Sequence, residues 1–206
     1  RHKLLDIVGD LALVGKMIKG HVLAARPGHS GNVTFATIIK QIIKDRKKAG
    51  KKFDLDKEPV YDINDISKLL PHRYPFLLVD KVMEITDDSI VGVKNITFNE
   101  PQFTGHFPDN PVVPGVILTE IMCQIGLVTL AMYLMKLDKN SKALPAFTSA
   151  NVEFLAKVLP EDRLIVESKK VYFRFGKLKC TVSCKKEDGT VVAKGELAGM
   201  VVKSEA

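Results

Sequence analysis

Cysteine is scarce in this 206-residue chain: Cys123, Cys180 and Cys184 are the whole set. The number is odd and no metal-ligand spacing joins them, which speaks against a disulfide framework or a cysteine-built metal site. Cys180 and Cys184 lie an even number of positions apart on an expected strand, so they share one face as free thiols; a reducing cytoplasm fits that usage. The first ten residues are charged and lack the apolar core of a secretory signal. Internal repeats and low-complexity tracts are missing too. Apolar residues at 46% and charged residues at 27% describe an ordinary globular protein.

Positive charge has no counterweight at one end only. Residues 1–58 hold 13 Lys/Arg against 6 Asp/Glu, whereas the remainder holds 18 against 18. The whole formal surplus of +7 therefore sits in the first quarter, and much of it in the run from Arg46 to Lys52. Such a run reads as a solvated helix end or linker, and with no nucleic-acid motif beside it no nucleic-acid partner is expected.

That charge break coincides with a change of pattern. In residues 1–50 an amphipathic helix is expected over 2–14, with Leu4, Leu5, Val8, Leu11 and Ala12 on one face and Gly15 as its stop. A short strand follows over 19–25, a loop at Arg26-Pro-Gly-His29, and a second helix over 32–48. Residues 51–59 are polar, end in Pro59 and read as a linker. Residues 60–206 carry a short helix at 65–70 and six strand candidates, at 77–86, 90–97, 147–154, 163–175, 178–186 and 191–202. Several are joined by tight turn signals, which predicts antiparallel pairing.

One apolar run, Val116 to Met135, is long enough to raise the question of a membrane span. Glu120 and Gln124 interrupt it one helical turn apart, and a charge there is costly in lipid. The run is expected instead to be a helix buried nearly all round, with the antiparallel sheet wrapped about it.

The Gly/Pro-dense loop from Phe103 to Gly115 fixes an irregular backbone around His106, and the helix bearing Glu120 starts directly after it. A cis peptide is expected before Pro108. Glu120, with apolar sequence neighbours, needs either a partner such as Gln124 or a proton. Each residue alone has a structural reading: a turn histidine bonded to a carbonyl, and a satisfied buried carboxylate. Together they point to an acid–base site.

These residues resemble a known family. Leu70-Pro-His-Arg-Tyr-Pro-Phe-Leu-Leu-Val-Asp80, Asn99-Glu-Pro-Gln-Phe-Thr-Gly-His-Phe-Pro108 and Pro111-Val-Val-Pro-Gly-Val-Ile-Leu-Thr-Glu-Ile-Met-Cys-Gln124 are similar to motifs of the FabZ-type (3R)-hydroxyacyl-[acyl carrier protein] dehydratases. The resemblance implies an α+β hot-dog fold, dimers often grouped three to a hexamer, and sites shared between two subunits. It implies His106 and Glu120 as the catalytic pair, and Gly115 as a helix-start amide for the thioester oxygen. The substrate would be a hydroxyacyl chain on the phosphopantetheine of acyl carrier protein, with no cofactor. In such a site neutral His106 removes the α-proton and a protonated Glu120, favoured by its apolar setting, protonates the leaving hydroxyl. His72, Arg73 and Tyr74 are expected to shape a turn near the acyl channel. Leu155 stands where the family has a basic residue and Glu161 where it has glycine.

Arg1-His-Lys-Leu-Leu-Asp-Ile-Val-Gly-Asp10, Lys19-Gly-His-Val22 and Arg26-Pro-Gly-His-Ser30 resemble the C-terminal end of a second family, the zinc-dependent UDP-3-O-acyl-N-acetylglucosamine deacetylases of lipid A synthesis. The resemblance implies an α/β deacetylase fragment in which His2 and Asp6 are two of three zinc ligands, Lys3 lies near substrate and His29 is catalytic. The third ligand is expected far upstream, in the complete half of a deacetylase–dehydratase fusion. Competing functional readings are a hot-dog thioesterase, with Glu120 activating water, and a carrier-binding scaffold without turnover.

Overall fold

The computed structural model describes residues 2–49, 53–138, 140–141 and 143–203. The chain forms two compact units, Arg1–Lys52 and Phe53–Ala206.

The first unit is a pair of helices, α1 (His2–Ala12) and α2 (His29–Ala49). Gly15, at φ 70°, takes the left-handed conformation just beyond α1, a stop for which glycine is suited. Leu11, Val14 and Ala36 are buried, but Leu4, Leu5 and Val8 of the expected apolar face are exposed. The strand expected at 19–25 is not formed: these residues are irregular. A strand is stable only beside a neighbour that takes its backbone hydrogen bonds, and no strand occurs among the described residues of this unit.

The second unit is the hot-dog arrangement. Its six strands are β1 (Lys81–Ile85), β2 (Ser89–Asn95), β3 (Ala143–Phe154), β4 (Arg163–Arg174), β5 (Lys177–Lys186) and β6 (Val191–Lys203). They pair antiparallel in the order β1-β2-β4-β5-β6-β3. A short helix, α3 (Ile63–Leu69), precedes them, with the Asp62 carboxylate accepting from the amides of Asn64 and Asp65 at its start. The long helix α4 (Gly115–Leu134) is the core. Its length and composition suit a membrane span, yet 72% of its apolar window is buried inside this unit. Leu118, Ile121, Met122, Ile125, Leu130 and Met132 pack against the inward residues of the strands. On β5 the inward positions are Leu178, Cys180, Val182 and Cys184, so both cysteines share the core face as the alternation predicts. Burial raises both thiols, to about 11 at Cys180 and about 12 at Cys184, and leaves them unreactive.

Two local departures matter for the site. The first strand starts at Lys81 rather than at 77, because the Leu78 amide donates to the Gln124 side chain at 2.9 Å instead of to a strand. Within α4, Gln124–Thr129 widens to a π-helical turn, stabilised by the Thr129 hydroxyl donating to the Gln124 carbonyl at 2.7 Å. Gly126 in that turn lies so close to the sheet that an added Cβ would sit 2.9 Å from the Cβ of Ser168. The Ser168 hydroxyl donates to its carbonyl at 2.8 Å, pinning helix to sheet just beyond Glu120.

Candidate active site

His106 is built from the backbone outward. A 3₁₀ turn, Pro101–Thr104, is held by Glu100, whose carboxylate pairs with the buried Lys94 at 2.6 Å and accepts from the Gln102 amide. The Gln102 carbonyl accepts the His106 N–H at 2.9 Å, and the His106 carbonyl accepts from Val112 at 3.2 Å. The cis peptide of this loop is His106–Phe107; the expected one before Pro108 is trans, and a second cis bond joins Tyr74 to Pro75. The imidazole stacks on Phe107, with ring centroids 4.3 Å apart. Its Nδ1 lies 2.8 Å from the Val112 carbonyl. A carbonyl only accepts, so the proton of the neutral ring is on Nδ1 and the lone pair on Nε2.

Glu120 sits in the second turn of α4, half-buried. Its surroundings are more polar than its sequence neighbours imply. Oε1 accepts from Gln124 Nε2 at 2.7 Å and faces His72 Nε2 at 3.9 Å. Gln124 is wholly buried and fully used, since the same Nε2 donates to the Phe76 carbonyl at 2.7 Å while its Oε1 takes the Leu78 amide. Glu120 and His72 line a cavity of about 110 Å³ whose remaining walls are mostly apolar, among them Leu127, Phe147 and Met200. His106 is not among the residues that line it. Cys123, in the same wall, is pushed up to about 12 by burial, with the Glu120 charge adding to it. Burial likewise lowers the His72 imidazole below its ordinary value, against the pull of Glu120 and with a smaller push from Arg73.

Gly115 opens α4, with Pro114 before it. The first intrahelical donors are Ile117 and Leu118, both to the Pro114 carbonyl, so the Gly115 N–H stands ahead of the ladder. The Phe154 ring covers this residue: a Cβ there would meet it at 3.1 Å. Arg73 shapes the preceding turn as the sequence suggests, its guanidinium donating to the carbonyls of Leu70, His72 and Ser67 at 2.9, 2.5 and 2.8 Å.

In the first unit His2 and Asp6 are exposed on α1. His29 is exposed and its Nδ1 pairs with the buried Asp10 at 2.7 Å; Asn32 donates to the other Asp10 oxygen at 3.0 Å. Lys3 reaches the Pro27 carbonyl at 3.4 Å. A zinc site takes four ligands, at least three of them from protein in the usual case. Among the described residues no group of three His, Cys, Asp or Glu is placed to hold a metal. His2 and Asp6 alone therefore do not fit a complete zinc site.

Sequence reasoning passed over Asp10, Lys94, Glu100 and Gln102, each of which acts through a residue distant in the pattern or through the backbone. An acidic residue at 10 on an apolar helix and a lysine inside a strand otherwise buried were the available signals.

Residues 70–196 match the FabA-like domain family. The chain belongs to that family. Residues 1–41 match the UDP-3-O-acyl N-acetylglycosamine deacetylase family. The FabA-like family member is 48% identical over 166 residues to the bifunctional enzyme LpxC/FabZ of Bacteroides thetaiotaomicron, covering 80% of this chain and 35% of that one. It is 46% identical to the 3-hydroxyacyl-[acyl-carrier-protein] dehydratase FabZ of Solibacter usitatus, covering 67% of this chain and 83% of that one. The chain thus spans about a third of the length of its bifunctional relatives. In fold it is similar to the dehydratase heterocomplex ApeI:P of Xenorhabdus doucetiae, with a TM-score of 0.55 at 15% identity, covering 67% of this chain and 91% of that one.

Proposed function

We propose that the Phe53–Ala206 unit dehydrates a (3R)-hydroxyacyl thioester, carried on the phosphopantetheine arm of acyl carrier protein, to the trans-2-enoyl thioester and water. His106 Nε2 takes the α-proton, the Gly115 N–H donates to the thioester oxygen as negative charge develops there, and the C3–O bond breaks as Glu120 gives its proton to the departing hydroxyl. The observation that carries this reading is the 2.8 Å contact between His106 Nδ1 and the Val112 carbonyl, which assigns the neutral ring's proton to Nδ1 and its lone pair to Nε2. Afterwards the imidazolium and the carboxylate return to their starting forms by proton exchange.

The site is read as shared between two copies, with His106 from one facing the cavity of Glu120 in the other. Supporting this, β3 lies at one edge of the sheet, a position from which a twofold copy can extend it, and Leu144 and Phe147 on that strand are exposed. A homodimer, and three dimers in a hexamer, follow from the same reading. The longer protein is read as a deacetylase–dehydratase fusion for lipid A and fatty acid synthesis, with zinc held by His2, Asp6 and an upstream ligand and with His29 as its catalytic histidine. Three buried free thiols accord with a cytoplasmic setting.

The test is product identity. With a (3R)-hydroxyacyl carrier thioester the enoyl thioester is expected; release of free acid would make the protein a thioesterase, and no turnover would leave a binding scaffold.

A further inference from the structure

His72 is read from sequence as a turn residue, but its ring is in the wall of the Glu120 cavity. Its backbone is held by Arg73, whose guanidinium donates to the carbonyls of His72 itself, Leu70 and Ser67. The side chain is largely buried, and among the described residues its Nδ1 has no hydrogen-bond partner. A ring present only to fill space would be better as an apolar one, since an unpaired buried nitrogen is unfavourable. The other nitrogen faces Glu120 Oε1 at 3.9 Å. That distance is an electrostatic contact, and catalytic hydrogen bonds of this length shorten when substrate closes the site.

The tautomer follows from elimination. A proton on Nδ1 would bury an unmet donor and turn the Nε2 lone pair toward a carboxylate. A proton on Nε2 points a donor at Glu120 and leaves only an acceptor unmet. Gln124 already donates to that same oxygen at 2.7 Å. Both donors therefore converge on Oε1, and Oε2 is left to face the substrate.

We propose that His72 is a positioning residue which, with Gln124, anchors Oε1 of Glu120 so that Oε2 carries the proton delivered to the leaving hydroxyl. The proposal rests on the dehydratase reading of this site. Once the anchoring donor is removed, the carboxyl rotates away from the reacting geometry, and the loss falls on the chemical step rather than on binding.

Steady-state dehydration by the full chain, with a (3R)-hydroxyacyl thioester of acyl carrier protein, tests it in His72→Phe, His72→Gln and His72→Asn. Phe keeps ring volume without a donor, Gln places an amide N–H near the position of Nε2, and Asn places one near Nδ1. His72→Phe is expected to lower kcat about tenfold or more with KM within about twofold, and His72→Gln to recover all but about threefold of the wild-type rate. Wild-type kcat in His72→Phe, or Gln and Asn variants of equal rate, would overturn the proposal, and the Gln–Asn comparison decides even where the Phe variant does not fold. Absence of dehydration by the wild type would instead overturn the underlying reading.

Discussion

A single backbone carbonyl fixes the chemical form of His106. The Val112 carbonyl accepts from His106 Nδ1–H at 2.8 Å, so in the neutral ring the lone pair is on Nε2, where the proposed reaction needs it. Glu120 is held differently, by side chains that leave one oxygen uncommitted. Glu120→Gln preserves size and hydrogen bonding to Gln124 but has no acidic proton. It is expected to lower turnover by about 10²–10⁴-fold while the oligomer persists on gel filtration; near-normal turnover would remove the acid role. His72 makes a separate prediction for stability. Burial depresses its folded pKa below the ordinary 6.5, so the unfolded chain binds the proton more readily. Stability from this group is complete above pH 6.5 and is lost as pH falls through the lowered folded value. In urea titrations His72→Phe should show a shallower loss of stability below pH 6.5 than the wild type, and parallel curves would contradict the burial argument. Both residues proposed as the acid–base pair stand out in the sequence, because a histidine in a Gly/Pro loop and a carboxylate in an apolar run are local anomalies. The company of Glu120 was not, since Gln124 is one turn away but His72 reaches it only through the fold.

The elements follow their sequence periods where burial is one-sided. Alternation on β5 placed both cysteines inward, and the Gly/Asp-rich turns separated the strands as antiparallel neighbours. Periodicity failed at residues 19–25, where the pattern was right for a strand but no neighbour supplied the ladder. It failed again at 77–80, where a side chain from α4 took the amide that a strand would have used. The π-helical turn was equally hidden, because it arises from the fit of Gly126 against Ser168 rather than from composition. Glu161 shows the reverse relation. It stands where the family resemblance leads one to expect glycine, and it has the left-handed backbone, φ 76°, with its amide donating to the Ile96 carbonyl at 2.8 Å. An L side chain in that region costs about 1–2 kcal/mol, part of which glycine returns as unfolded-state entropy. Glu161→Gly is therefore expected to raise unfolding free energy by up to about 1 kcal/mol in urea titration, and a destabilised variant would contradict the strain argument.

The molecule divides into a unit with a closed core and one without. Helix α4 gives the hot-dog unit a continuous interior, whereas α1 leaves Leu4, Leu5 and Val8 exposed, and among the described residues no group of three His, Cys, Asp or Glu is placed to hold a metal. Metal analysis of the purified chain is expected to find zinc well below one ion per chain, unchanged in His2→Ala; stoichiometric zinc lost on that substitution would contradict the account. The fold class was readable because the buried helix and the strand run lie on one contiguous stretch of sequence. Assembly was not, because a single chain's pattern does not say which surfaces meet a second copy, and the shared Glu120 site is the proposal that depends on it. The most direct test of that central claim is mixed-subunit complementation. His106→Ala and Glu120→Gln chains, each inactive alone, are co-expressed and assayed for enoyl thioester. Half of randomly assorted dimers then carry one intact site of two, so the mixture should recover about a quarter of wild-type activity. No recovery from a mixture shown to contain hetero-oligomers would contradict a site in which one subunit's imidazole and another's carboxyl act on the same substrate.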